Sequence, residues 1–363
     1  MQELIILRSG NANAFIRRPH HRIVSLHITN RCNYHCSYCV IKDKLDKAQW
    51  SKEVLLKNID WIIKDGKATN IFFFGGEPLI HPNFILAVTK CKTEINCKLS
   101  TMTNGSASLD FFKRLYSIDP YFQTTISMHF EKLHLDQFLE KAFFLANQKC
   151  GTHFKIMMHP LYRDAIYKSA EKLIKIIDGT NSRISCAMIR FPEQKYNRFS
   201  PLYNKDDWDF YSFINKNMSK EKKIFVELAD KNGQRYIIQD TYEMLLEAGL
   251  LEFQNIGCLI NSWKCIFDVS GFARNHVCIT RNKIYKKYGE PLFIDNPMQC
   301  PLMHCWCEGH MSVPKSLYTS DMPPYAGGES HKKERSVKIE VHDILVEKAN
   351  NISRFWLNEQ NYK

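Results

Sequence analysis

Three cysteines, Cys32, Cys36 and Cys39, stand close together in Thr29-Asn-Arg-Cys-Asn-Tyr-His-Cys-Ser-Tyr-Cys39. The segment directly follows a strand-like apolar run, Arg22-Ile-Val-Ser-Leu-His-Ile28. Thiolates at C-x3-C-x2-C spacing can hold three corners of a cubane iron–sulfur cluster, and soft sulfur donors select iron–sulfur or zinc over hard cations. No fourth Cys or His follows at close, fixed spacing. A structural zinc site normally closes four ligands, often as two pairs. Three thiolates leave one metal position open, and a small molecule can coordinate there. The competing readings are a zinc knuckle or three reduced structural thiols.

From Arg22 to about Arg190, strand and helix signals alternate. Apolar runs near Ile23–Ile28, Ile71–Phe74, Lys98–Thr103, Thr124–Met128, Phe154–His159 and Arg183–Arg190 read as buried strands. Between them, Leu55, Ile59, Ile62 and Ile63 fall on one helical face, as do Leu135, Phe138, Leu139 and Ala142. Ile166, Ala170, Leu173, Ile174 and Ile177 form a third face. Six strand–helix units in a row imply a parallel sheet with right-handed crossovers, and functional residues should collect at the strands' carboxyl ends. One such end carries Gly75-Gly-Glu-Pro78. Two glycines permit a tight turn and close backbone approach, and the proline fixes the exit.

At the cysteine loop, with Tyr38 just before its last cysteine, and again at Gly75-Gly76-Glu77-Pro78, the chain resembles the radical S-adenosylmethionine (SAM) enzymes. The resemblance implies a partial (β/α)6 TIM-like barrel and a [4Fe-4S] cluster on Cys32, Cys36 and Cys39. The amino and carboxylate groups of SAM would chelate the fourth iron. Reductive cleavage of SAM then yields a 5′-deoxyadenosyl radical that abstracts hydrogen from substrate. Gly75, Gly76, Glu77 and Pro78 would position SAM, and Tyr38 would shape the adenine side. Weaker candidates close later strands. Thr103-Asn104-Gly105 ends the third, Ser127 and His129 the fourth, His159 the fifth and Arg190 the sixth. Asn104, Ser127 and Arg190 are expected around the cofactor, with His129 and His159 as candidates to touch substrate. Cys91, Cys97, Cys150 and Cys186 show no ligand spacing and read as small buried apolar residues. If strand alternation turns Cys186 inward, its thiol becomes a candidate hydrogen-atom donor.

Past Phe191 the texture changes. Ile224–Leu228 and Arg235–Ile238 flank Asp230-Lys-Asn-Gly233 and read as a β-hairpin. A helix over Thr241–Ala248 follows. Six cysteines then fall between Cys258 and Cys307. Cys258 and Cys278 bracket a hairpin signal centred on Gly271, and Cys300, Cys305 and Cys307 follow as C-x4-C-x-C. This resembles the twitch and SPASM modules that follow many radical SAM barrels. It implies a second, auxiliary [4Fe-4S] cluster held by Cys258, Cys278 and two of the last three cysteines, with Cys265 structural. Zinc is the alternative metal. The expected organisation is a lead-in over 1–21, a barrel over 22–200 and a connector over 201–257. A small cysteine-rich α+β auxiliary-cluster domain over 258–318 and a tail over 319–363 complete it.

The chain has 363 residues, enough for a real core, and 44% hydrophobic content is ordinary for a globular protein. Its charge of +12 favours anionic partners. No basic block interleaved with aromatics reads as a nucleic-acid groove. No stretch approaches the ~20 apolar residues a membrane span needs, so no membrane partner is expected. Thirteen cysteines in a chain this long, clustered at two places without a signal peptide, read as metal-bound thiols in a reduced cytoplasm. Two substrate classes follow by analogy. One is a peptide or protein side chain that is oxidised, epimerised or crosslinked. The other is a sugar, aminocyclitol or nucleotide-type metabolite. Either needs an external electron donor such as flavodoxin or ferredoxin. A non-catalytic metal-binding scaffold is the reading of a different class.

Overall fold

Apolar side chains alternate with polar ones along successive strands, and the alternation gives one sheet a helix-facing side and a polar side. The computed structural model describes residues 5–11, 22–39, 48–189, 202–218, 224–229, 232–233, 235–240, 245, 250, 253, 256–274, 285–294, 298–300, 305, 313, 315–316 and 337–338. In chain order the elements begin with β1 (Ile5–Asn11), β2 (Ile23–Thr29), α1 (Lys52–Asp65), β3 (Asn70–Gly75), α2 (Phe84–Glu94) and β4 (Lys98–Thr103). Next come α3 (Leu109–Ile118), β5 (Gln123–Met128), α4 (Leu135–Ala146), β6 (Thr152–Met158), α5 (Arg163–Ile177), β7 (Arg183–Met188) and α6 (Lys205–Asn217). The remainder is β8 (Ile224–Ala229), β9 (Arg235–Asp240), β10 (Gly257–Cys258), α7 (Ile260–Trp263), β11 (Lys264–Phe267) and β12 (Ala273–Arg274), with β13 (Met298–Gln299), β14 (Lys315–Ser316) and β15 (Val337–Lys338).

Strands β2 to β7 pair in sequence order, all parallel. Each is followed by a helix, which gives the six repeated units the periodicity called for and a sheet consistent with a partial TIM-like barrel. Val24, Leu26 and Ile28 of β2 join Ile71 and Phe73 of β3 in the main core under the helices. The intervening positions stay polar or aromatic: Ser25 and His27 on β2, Phe72 and Phe74 on β3. His27 and Phe74 stack at 4.9 Å, and Phe72 and Phe74 at 5.8 Å.

Local chemistry sets the helix limits. Ser51 caps α1 by accepting the N–H of Val54, and Gly66 ends it in the left-handed region, its N–H bonded to Ile62 O. The helix buries Leu55, Ile59 and Ile62, each contributing about 2 kcal/mol relative to exposure. Asn204 and Asp207 form a capping box at the start of α6. Asp207 also takes a bidentate pair from Arg163 of α5, at 2.7 and 2.6 Å.

Two features depart from the expected organisation. The first residues are not patternless: β1 pairs antiparallel with β8 and β14 and joins a second sheet ordered β13-β10-β14-β1-β8-β9-β15. The β8–β9 hairpin belongs to that sheet. The hairpin around Gly271 does not stand apart either. Its first strand, β11, lies parallel to β2 and extends the main sheet. Of the helix expected over 241–248 only Leu245 is described, and it is helical and buried; the tail beyond 338 lies outside the described residues. Among the described residues no helix is long and apolar enough to cross a membrane.

Candidate cofactor site

Strand β2 ends at Thr29 and delivers the cysteine loop to the carboxyl end of the sheet. The loop is held there by the Gly75–Gly76 turn. Gly76 N–H donates to Thr29 O and Glu77 N–H to Arg31 O, each at 2.8 Å. A Cβ on Gly75 would lie 2.2 Å from Thr29 O, and one on Gly76 2.3 Å from Arg31 O. The two glycines are therefore needed for backbone to meet backbone, in addition to any approach to a ligand that the turn allows. Pro78 opens a short 3-10 turn behind them.

Glu77 is fully buried. Its Oε1 accepts the N–H of Leu79 at 3.0 Å and the hydroxyl of Thr103 at 2.7 Å, and its Oε2 accepts the N–H of Asn104 at 2.6 Å. Burial pushes the carboxyl up to about 7 against those three donors. Its visible work is to fix the end of β4. Asn104 then reaches the cysteine loop, with Nδ2 2.9 Å from Asn33 Oδ1 and 3.9 Å from Cys32 Sγ.

The far side of the loop is clasped by Glu131, which the sequence motifs do not single out, together with Tyr38, His129 and His159. Glu131 accepts the N–H of Ser37 at 2.9 Å and also the Ser37 hydroxyl. Its other contact is His159 Nε2 at 3.2 Å. The Tyr38 hydroxyl meets His129 Nδ1 at 2.7 Å, and the two rings stack at 5.8 Å. Tyr38 also lies 5.6 Å from the His159 ring. His129 and His159, expected to face substrate, are thus engaged with the loop itself. Burial lowers His129 to about 4, which keeps its ring neutral. Glu131 lies two residues past His129 and was legible only as a polar residue after a strand end.

Ser127 is buried on β5. Cys186 corrects an expectation. It packs in the helix-side core with Ile184 and Met188, while Ile189, of opposite parity, packs with Cys36 and Tyr38. Strand alternation therefore turns the Cys186 thiol away from the loop. Asn215 of α6 accepts from its N–H at 2.8 Å. Arg190 lies outside the described residues.

Cys39 raises the Cys32 thiol, and Cys39 and Cys32 both raise that of Cys36. Burial first, then Glu131 and the other two thiols, pushes Cys36 up to about 12. Crowded, partly buried sulfurs of this kind suit a cation that accepts their negative charge, and metal binding must displace their protons. Among the described residues no three His, Cys, Asp or Glu side chains converge as a single-ion site. A cubane places each thiolate on a different iron, so its ligands need not converge. The donor set and the open fourth position fit that group.

Farther along, β10 pairs with β13 and β14, which sets Cys258 opposite Lys315 and leads β13 into Cys300. Cys300 and Cys305 both raise the Cys258 thiol, which burial lifts to about 11. Three of the five auxiliary candidates are therefore near one another, beside a buried Lys315 that sequence reasoning passed over. Cys278 and Cys307 lie outside the described residues. Cys265 is fully buried in the main core. No described cysteine is in a disulfide.

Residues 26–134 match the family model described as Radical SAM superfamily. The match is confined to this part of the chain, less than a third of its length. Two relatives, from Selenomonas ruminantium and Fibrobacter sp. (strain UWH6), are named S-adenosylmethionine-dependent nucleotide dehydratase. They are 38% and 30% identical over 91 residues, 24% and 23% of this chain. The chain spans only 31% and 27% of their lengths. Among solved structures, SuiB of Streptococcus suis bound to S-adenosylmethionine is 13% identical, with a TM-score of 0.47 over 74% of this chain and 66% of that one. The matched family implies SAM and a [4Fe-4S] cluster.

Proposed function

We propose that the chain is a radical SAM enzyme that removes a hydrogen atom from a C–H bond of its substrate. The observation that carries this is the cysteine loop held between the Gly75–Gly76 turn and Glu131, with Asn104 at Cys32. When bound, the cluster and SAM supply one-electron cleavage of the sulfonium, with the electron drawn from an external donor such as flavodoxin or ferredoxin. The protein's part is to hold three thiolates, keep the fourth iron open and exclude water. Ser127, on the strand next to Asn104, lines the approach to that position.

The relatives' names favour a nucleotide-type metabolite and a dehydration outcome. Modification of a peptide side chain, by oxidation, epimerisation or crosslinking, is the second reading. The C-terminal thiols Cys258, Cys300 and Cys305, with Cys278 and Cys307, support an auxiliary cluster that relays an electron or places substrate. Anaerobic reconstitution followed by dithionite and SAM tests the central reading. 5′-Deoxyadenosine should be released by the native chain and absent with Cys36→Ala. No release under any reductant would leave a non-catalytic metal scaffold. Tracing deuterium from labelled nucleotides or peptides into deoxyadenosine separates the substrate classes.

A further inference from the structure

The sheet carries a second polar site at the end opposite the cysteine loop. Where β4 to β7 begin, a cavity of about 230 Å³ opens, lined among others by Phe72, Ser100, Gln123, Thr125, His153 and Arg183. No Asp or Glu lines it. The β6–β7 register sets His153 directly across from Arg183, and Lys155 across from Ser185. Ser185 Oγ lies 2.7 Å from His153 Nε2. Lys155 is 9% exposed, and the Nε of Arg183 is enclosed with no hydrogen-bond partner among the described residues. A buried donor without an acceptor is costly. The local surplus of positive charge is felt by His153, which burial, then Arg183 and Lys155, lower to about 2. Arg183 and His153 thus line an open cavity with no carboxylate in its wall, an arrangement complementary to an anion.

We propose that this cavity binds an anionic group, phosphoryl or carboxylate. Phe72 and Thr125 shape its wall, Gln123 offers a neutral donor, and Arg183 supplies the charged fork suited to a planar or tetrahedral oxyanion.

Calorimetry on the full chain with pyrophosphate, and separately with malonate, tests it. At least one should bind, with affinity falling as salt rises. Preference for pyrophosphate or for malonate identifies the group as phosphoryl or carboxylate. Arg183→Gln should weaken binding about tenfold, or about 1.4 kcal/mol. Gln123→Glu leaves the core untouched because Gln123 is exposed. It should weaken binding by a similar factor while the circular dichroism stays native. In the native chain, the ligand should also move the His153 ring titration upward by nuclear magnetic resonance. Absence of binding for both anions, or binding that neither variant changes, overturns the assignment. Deoxyadenosine release is scored in parallel. Release without anion binding removes the cavity assignment alone, and anion binding without release removes the radical reading alone.

Discussion

Both oxygens of Glu77 accept a backbone N–H, that of Leu79 at 3.0 Å and that of Asn104 at 2.6 Å. A glutamine has one acceptor oxygen. Whichever way its amide faces in Glu77→Gln, one of the two N–H groups meets an NH2. The site is fully buried, so the orphaned donor should cost about 1–3 kcal/mol. The loss is read as a lower midpoint in urea. Because Asn104 also touches the Cys32 sulfur, iron retention should fall together with stability. Full stability in the variant would show that Glu77 does not tie these segments together.

Gly76→Ala tests the contact between the two motifs. Its Cβ would fall 2.3 Å from Arg31 O and 2.5 Å from Asn30 O, both backbone atoms that cannot rotate away. The loop bearing Cys32 must shift, and iron bound at the first site should drop severalfold while the helices persist by circular dichroism. Gly179→Ala is the control. Nothing lies within 4 Å of its Cβ, and only its φ of +70° opposes a side chain. It should cost about 1 kcal/mol and keep its iron.

These two positions show how much was legible. The cysteine spacing and the Gly-Gly-Glu-Pro turn stood out because their residue types have few alternative uses, and the structure brings the two together. The six strand–helix units followed from periodicity, since each strand alternates between core and inner face. Glu131 and the engagement of His129 and His159 with the loop were not legible, because the contacts join strand ends that are far apart in sequence. Strand β1 was missed because Ile5–Asn11 is short and mixed and gains its order only by pairing with β8 and β14. Cys186 was open to either face until the parity of β7 was fixed by Ile189.

His153 makes stability depend on pH. Burial, Arg183 and Lys155 hold its folded value near 2, against 6.5 for an ordinary histidine. Between those values the unfolded chain binds the extra proton, so this contribution is full above pH 6.5 and is lost as pH falls toward 2. The slope approaches about 1.4 kcal/mol per pH unit at most. Unfolding free energies measured by urea at several pH values below neutrality should fall less steeply in His153→Gln than in the native chain. Parallel curves would show that this imidazole is solvated in the folded state.

Iron content separates one cluster from two. A cubane on Cys32, Cys36 and Cys39 holds four irons, and a second on the C-terminal thiols brings the reconstituted chain to about eight. Replacing Cys32, Cys36 and Cys39 together by alanine should leave about four, because Cys258, Cys300 and Cys305 gather around strands β10, β13 and β14 and share no loop with the first site. Cys258→Ser should remove the complementary four. Lys315 supplies the finer test. It is opposite Cys258 in the β10–β14 register and buried, with its Nζ bonded to Val313 O at 3.0 Å. A buried cation beside anionic cluster sulfur stabilises the reduced, more negative state, so Lys315→Met should shift the second cluster's midpoint potential downward and leave the first unmoved. If the native chain binds about four irons and one zinc, the C-terminal thiols hold zinc, and no second potential should be found.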